Sequence, residues 1–62
     1  MAARLRYVVD NQGDRRLVDW DEMVTEMQRL REAGVDLEAM GTKKALAYTA
    51  ASLERRRQGR LN

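Results

Sequence analysis

Five consecutive turn-forming residues, Asp10 to Asp14 (DNQGD), separate two short runs of β-forming residues in a chain of only 62 residues. The runs are Arg4 to Val9 and Arg15 to Val18. Glycine at position 13 suits the left-handed position of a short hairpin turn. The pattern therefore predicts an antiparallel hairpin over residues 4–19.

A register that pairs Val9 with Arg15 would give the hairpin two different faces, because alternate residues of a strand point to opposite sides. One face is apolar, and the other is basic with apolar residues between the arginines. The first comprises Leu5, Tyr7, Val9 and Leu17, and the second comprises Arg4, Arg6, Arg16, Val8, Val18 and Trp20. A slip of one residue would exchange the two faces.

The segment Val18 to Met23 (VDWDEM) carries the signals of a helix start. Asp19 can accept a hydrogen bond from the backbone amide three residues on, and Glu22 can reach back to the amide of Asp19, which would make a capping box. Apolar residues then recur at helical spacing, and Gly34 occupies the position of a C-terminal glycine. We expect a helix over residues 20–33.

The remaining residues allow two interpretations. Asp36 can cap a short helical turn at 36–40 before Gly41 interrupts the helix and a last helix runs over residues 42–57. Alternatively, one helix passes through Gly41 at a cost of about 1 kcal/mol relative to alanine. Either arrangement makes the chain one small α+β domain, a two-stranded antiparallel hairpin followed by two helices (ββαα), with a frayed basic tail over residues 58–62.

The residue types that most often carry catalysis are scarce. The chain contains no cysteine and no histidine, which removes thiolate chemistry, the usual zinc ligands and the usual proton shuttle at neutral pH. The four glycines are isolated and form no phosphate-binding loop. We therefore expect no enzymatic activity, no cofactor, no metal site and no small-molecule substrate.

Charge is distributed unevenly along the chain. Residues 21–40 contain six acids and two arginines, a net charge of −4, whereas residues 41–62 contain six basic residues and one acid, a net charge of +5. Either the two regions pair with each other, or the basic end faces an anionic partner. Because guanidinium groups bind phosphates bidentately, nucleic acid is the leading hypothesis for that partner. The candidate nucleic-acid-binding residues are Lys43, Lys44, Arg55, Arg56, Arg57 and Arg60, together with Arg4, Arg6 and Arg16 of the hairpin.

The rival hypothesis is a protein–protein adaptor or inhibitor, or a component of virion head-tail assembly. A chain of this length buries a small core, which favours a partner protein or a homodimer. The candidate interface residues are Val8, Val18 and Trp20 on the basic hairpin face, and Leu37, Met40 and Tyr48 in the helical region.

Localisation follows from the absence of targeting signals. The first ten residues (MAARLRYVVD) lack the apolar segment of a signal peptide. No apolar run approaches the roughly 20 residues of a membrane span. We expect a cytoplasmic protein with no membrane partner, or a virion-associated one if the chain is of phage origin.

The segment Gly13 to Ala33 (GDRRLVDWDEMVTEMQRLREA) combines a turn glycine, basic residues, a short strand, an acid-capped helix start and a Met/Leu stripe. In this order, residues 4–33 resemble the hairpin and second helix of the phage head-to-tail joining protein W family, whose chains also end in an Arg-rich tail. The resemblance implies an accessory or regulatory protein of a virion or mobile element.

Overall fold

A computed structural model describes residues 4–59 and confirms the predicted α+β architecture, a hairpin followed by helices. The elements are β1 (Leu5–Val9), β2 (Arg15–Asp19), α1 (Trp20–Glu32), α2 (Leu37–Met40) and α3 (Thr42–Gly59). The two strands form an antiparallel sheet of their own. Within the described residues, no helix has both the length and the apolar character needed to cross a bilayer.

The hairpin has the predicted register, with Val9 opposite Arg15. Its turn is held by the side chain of Asp10, whose Oδ1 accepts hydrogen bonds of 2.9 Å from the amides of Gln12 and Asp14. An aspartate that bonds to amides ahead of it favours a tight turn. The turn chemistry therefore sets the pairing of the strands.

The start of α1 is capped by Asp19, but not through the predicted capping box. The Asp19 carboxylate accepts a hydrogen bond of 2.9 Å from the amide of Asp21, two residues on instead of three. The Glu22 carboxylate lies 3.3 Å from the guanidinium of Arg57, where it forms an ion pair. The predicted capping box is therefore wrong, and Glu22 contacts Arg57 of α3 instead of the amide of Asp19.

α1 is followed by the predicted glycine, Gly34, in a Schellman motif. The amide of Val35 donates to the carbonyl of Leu30 at 2.9 Å, and the amide of Gly34 donates to the carbonyl of Arg31 at 3.0 Å. Gly34 has a φ of 97°, which a residue with a Cβ rarely adopts.

Gly41 separates two helices, so the interpretation with a short extra helix is correct. It has a φ of 84° and a ψ of 157°, which no helix can contain. The Asp36 carboxylate caps α2 by accepting a hydrogen bond of 3.1 Å from the amide of Ala39. The last helix reaches Gly59, two residues beyond the predicted end, so Gln58 and Gly59 are helical and not frayed. The rest of the predicted tail lies outside the described residues.

The core lies where the hairpin meets α1 and α3. At its centre are Val8, Met23 and Ala50, and further apolar residues pack around them, namely Val18, Trp20, Met27, Leu46 and Leu53. The basic face of the hairpin is therefore its inner face. The prediction that a partner protein contacts this face is therefore wrong for three residues. These residues pack in the core of the same chain, namely Val8, Val18 and Trp20.

The opposite face of the hairpin is open. Leu5, Tyr7 and Leu17 are 57%, 67% and 53% exposed. We call this surface the outer hairpin face, and it also includes Val9, Arg15 and Asp19 by strand alternation.

Candidate nucleic-acid interface

The predicted basic residues divide into two groups according to whether a carboxylate neutralises them. Arg4, Arg16, Arg56 and Arg57 each lie within 4 Å of an acid of the same chain. The other described members of the set have no such partner among residues 4–59. Arg60, also predicted to bind nucleic acid, lies outside the described residues.

Three of the paired arginines contact the first half of α1. The guanidinium of Arg57 lies 3.3 Å from the Glu22 carboxylate, and that of Arg56 lies 3.3 Å from the Glu26 carboxylate. Arg4 reaches the same helix through Asp21, at 2.7 Å. The acidic middle of the chain and its basic end therefore pair with each other at this helix.

Arg16 connects the hairpin to α3. Its guanidinium lies 3.6 Å from the carboxylate of Glu54 and 3.9 Å from that of Asp10. Glu54 is the only acidic residue of α3, so this contact neutralises the one negative charge on that helix.

Two further arginines lie over aromatic rings. The guanidinium of Arg6 is 5.1 Å from the centre of the Trp20 ring, and that of Arg15 is 6.0 Å from the centre of the Tyr7 ring. At these distances the ring face attracts the cation. Arg6 therefore covers the core tryptophan, while Arg15 lies on the outer hairpin face.

Lys43, Lys44 and Arg55 are exposed and form no ion pair among residues 4–59. Lys44, Tyr48 and Arg55 recur at i, i+4 and i+11, which places them on one side of α3. Lys43 precedes Lys44 at the start of the helix and lies about 100° around the helix from it. We call these four residues the basic stripe.

The basic stripe is about 16 Å long between positions 44 and 55 at 1.5 Å per residue. Tyr48 is half-buried between its two cationic neighbours. Because Glu54 is occupied by Arg16, α3 offers no free carboxylate to weaken the positive potential along the stripe.

The helical members of the predicted interface occupy different environments. Leu37 is buried, whereas Met40 and Tyr48 are half-buried. Leu37 lines a shallow cleft between α1, α2 and α3 with Met27 and Leu46. These three residues lie on α2 and α3, whereas the outer hairpin face is formed by the strands.

The structure has a buried polar cluster at the contact of α1 and α3 that was not predicted from the sequence. Glu26 is only 3% exposed, accepts a hydrogen bond of 2.5 Å from the Ser52 hydroxyl and pairs with Arg56. One signal could have found it. Glu26 follows Met23 by three residues, which places it on the apolar side of α1.

A groove between α1 and α3 is open at the surface beside this cluster. Its charged lining contains three acids and three arginines, namely Asp21, Glu22, Glu26, Arg29, Arg56 and Arg57. Opposite charges in equal number give the groove no preference for an anion. Across residues 4–59, no group of three or more His, Cys, Asp or Glu side chains could hold a metal ion.

No protein-family model matches the chain, and neither curated proteins nor solved structures include a significant match. The resemblance of residues 4–33 to the joining protein W family therefore stays a prediction. The basic stripe and the outer hairpin face are the two surfaces from which a function can be argued.

Proposed function

We propose that this protein is a non-catalytic nucleic-acid-binding protein that contacts phosphates through the basic stripe of α3. The observation that carries the proposal is the separation of charge on this helix. Arg56 and Arg57 are paired with acids of α1, whereas Lys43, Lys44 and Arg55 are exposed and have no ion-pair partner among residues 4–59.

The number of free cations predicts the salt dependence of binding. Each neutralised phosphate releases counterions, and the slope of log affinity against log salt is about −0.9 per contact for duplex DNA and about −0.7 for single strands. Three contacts give a slope of about −2.7 on duplex DNA, whereas all nine predicted residues would give about −8. The slope of log affinity against log salt therefore distinguishes binding through the basic stripe from binding through all nine predicted residues.

Tyr48 favours single-stranded nucleic acid as the ligand. By helical spacing it lies on the same side of α3 as Lys44 and Arg55, so an unpaired base could stack on its ring while the cations hold the flanking phosphates. Stacking on an aromatic side chain contributes about 1–3 kcal/mol per base and tolerates any sequence. We expect tighter binding to a single strand than to a duplex of equal length.

The test is a titration of fluorescently labelled single-stranded and duplex oligonucleotides, each of about 20 nucleotides, at about 50 to 200 mM salt. The variant Lys44→Gln/Arg55→Gln removes two charges from the stripe. The matched control Arg29→Gln/Arg31→Gln removes two charges from exposed residues in the last turn of α1. Tyr48→Leu tests the stacking contact without a change of charge.

The proposal predicts that the stripe variant reduces affinity by tenfold or more at about 50 mM salt, since two of three phosphate contacts are lost. The control should reduce affinity by less than about threefold, through net charge alone. Equal losses in the two variants, or no binding at low salt, would remove the proposal.

A second candidate function is that of a protein–protein adaptor or inhibitor, which includes a part in virion assembly. It is favoured by Leu5, Tyr7 and Leu17, three large apolar side chains exposed on one face. Affinity capture with and without nuclease separates the two functions. Partner protein retained after nuclease treatment, and lost on Tyr7→Glu, supports the adaptor.

A further inference from the structure

The outer hairpin face gathers most of the large apolar surface that the fold leaves open. Among residues 4–59 the exposed large hydrophobic residues are Leu5, Tyr7, Leu17 and Val24, and the first three share this face. Exposed apolar side chains that cluster with charges at the rim are typical of an interaction surface. A partner that covers the face would remove this area from water.

On the outer hairpin face, β2 carries charged residues at its two ends, whereas β1 carries apolar residues there. On β2, Arg15 lies at one end and Asp19 at the other, with Leu17 between them. On β1 the corresponding positions are Val9 opposite Arg15 and Leu5 opposite Asp19. The face is thus apolar in the middle, positive at one end and negative at the other.

We propose that the occupant of the outer hairpin face is a second copy of the chain, in a symmetric homodimer whose hairpins pack face to face. A two-fold axis across the strands, at the level of the Tyr7–Leu17 pair, would place β2 over the β2 of the second copy in antiparallel orientation. Arg15 of each copy would then meet Asp19 of the other. The surface is its own complement, as a two-fold contact requires.

The other two-fold arrangement does not fit the charges. An axis along the strands would lay β2 over β1, so that Arg15 would meet Val9 and Asp19 would meet Leu5. Each charged group would then lie against an apolar side chain with no compensating partner, which is costly. Only the antiparallel arrangement pairs both charges while Tyr7 meets Tyr7 and Leu17 meets Leu17.

Both Arg15 and Asp19 can form an ion pair with a second copy of the chain. Asp19 uses Oδ1 to cap α1, and no hydrogen bond to its Oδ2 occurs among residues 4–59. Arg15 is exposed and forms no ion pair among residues 4–59, and its guanidinium lies 6.0 Å from the centre of the Tyr7 ring. The dimer would therefore form without loss of the helix cap.

The size of the face predicts a weak dimer. Five residues at about 3.3 Å each make it about 16 Å long, and it is two strands wide. A contact of this size belongs with the small interfaces, below about 1,200 Å² in total, that typically form transient complexes. We expect a dissociation constant in the micromolar to millimolar range, so the dimer is observed only at high protein concentration.

The experiment is sedimentation equilibrium of the chain without nucleic acid, over concentrations up to about 1 mM, the weak end of the expected range. The expected result is a mass that rises from 7.2 kDa toward twice that value. Tyr7→Glu should abolish the rise because it places two like charges at the axis. Val24→Glu is the matched control, since Val24 is exposed on α1.

A charge exchange tests the arrangement itself. Arg15→Glu and Asp19→Lys should each weaken the homodimer by about tenfold or more, because like charges would meet at both ends. Mixed together, the two variants should restore dimerisation, since every contact again joins opposite charges. Circular dichroism confirms folding, which matters because Asp19→Lys also removes a helix cap.

A monomer at every concentration, or a mixture no better than either variant alone, overturns the proposal. A loss of oligonucleotide binding by Tyr7→Glu with unchanged sedimentation would instead assign the face to nucleic acid. Dimerisation is measured without nucleic acid, so the two proposals are tested separately. The dimer proposal can be wrong while the proposed function is right, and the proposed function can be wrong while the dimer forms.

Discussion

The hydroxyl of Ser52 on α3 donates a hydrogen bond of 2.5 Å to the carboxylate of Glu26 on α1, and Glu26 is only 3% exposed. The guanidinium of Arg56 lies 3.3 Å from the other carboxylate oxygen. A buried carboxylate is tolerated only when such partners replace water. The three side chains therefore connect α1 and α3 where the two helices pack.

Ser52→Ala should lower the free energy of unfolding by about 1–3 kcal/mol, since it leaves a buried carboxylate oxygen without its hydrogen bond. Urea unfolding followed by circular dichroism measures the change. The control repeats the substitution in a Glu26→Met background, where no acceptor remains. Ser52→Ala should then cost clearly less, and an equal cost in both backgrounds would show that the hydrogen bond is not the cause.

Arg55 and Arg57 should differ in their effect on oligonucleotide binding, although both are exposed arginines on α3. Arg55→Gln should weaken binding and make the salt slope shallower by about 0.9 on duplex DNA, the share of one phosphate contact. Arg57→Gln should have a smaller effect, because Glu22 already compensates that charge. Salt titrations of the two single variants give the comparison.

Glu22→Gln should strengthen oligonucleotide binding, because it frees Arg57 from its ion pair. The matched control is Glu32→Gln, which removes the same charge from an exposed position at the other end of α1. Equal gains in the two variants would indicate a net-charge effect and no release of Arg57.

Met23→Ala should lower the free energy of unfolding by about 2–5 kcal/mol, the usual cost of truncating a large core side chain. Met23 is fully buried at the centre of the core. A chain of this length has a total stability of only about 3–9 kcal/mol, so we expect a partly unfolded protein. Val24→Ala, at the neighbouring exposed position, should change the unfolding midpoint little.

Gly34→Ala and Gly59→Ala should have opposite effects. Gly34 has a φ of 97°, and alanine in the left-handed region costs about 1–2 kcal/mol. Gly59 lies in α3, where alanine is favoured over glycine by up to about 1 kcal/mol. An added Cβ meets no atom within 4 Å at either site. Thermal unfolding of the two variants therefore measures the effect of backbone conformation on stability, without a contribution from steric clashes.

Local features of the fold could be predicted because they depend on residues close together in the chain. For the break at Gly41 the sequence allowed two interpretations, and the structure has the one with two helices. The hairpin register follows from the turn, and the end of α1 follows from Gly34. Each requires knowledge of only a few neighbouring residues. The length of α3 was underestimated because arginine and glutamine near its end are compatible with helix and carry no stop signal.

The sequence could not show which face of the hairpin packs against the helices, because both faces carry apolar residues. The choice depends on contacts with distant residues. Arg4 and Arg16 reach Asp21 and Glu54, and Arg6 covers Trp20. These contacts let the face with more arginines lie against the helices.

The candidate site was predicted only in outline for the same reason. Composition shows that the end of the chain is basic, but not which cations are already neutralised. That distinction rests on Glu22 and Glu26, which reach α3 only once α1 has packed against it. Of the eight predicted basic residues that lie within residues 4–59, the fold pairs Arg4, Arg16, Arg56 and Arg57 with acids.

The ion pairs between α1 and α3 also bear on how the molecule would turn toward nucleic acid, its proposed ligand. Positive charge is cancelled on the flank of α3 next to α1 and retained at Lys43, Lys44 and Arg55. If the proposed function holds, the field of the nucleic acid would exert a torque that rotates the basic stripe toward it before any contact forms. This alignment acts over about 10 Å at 0.1 M salt and shortens the rotational search for a productive encounter.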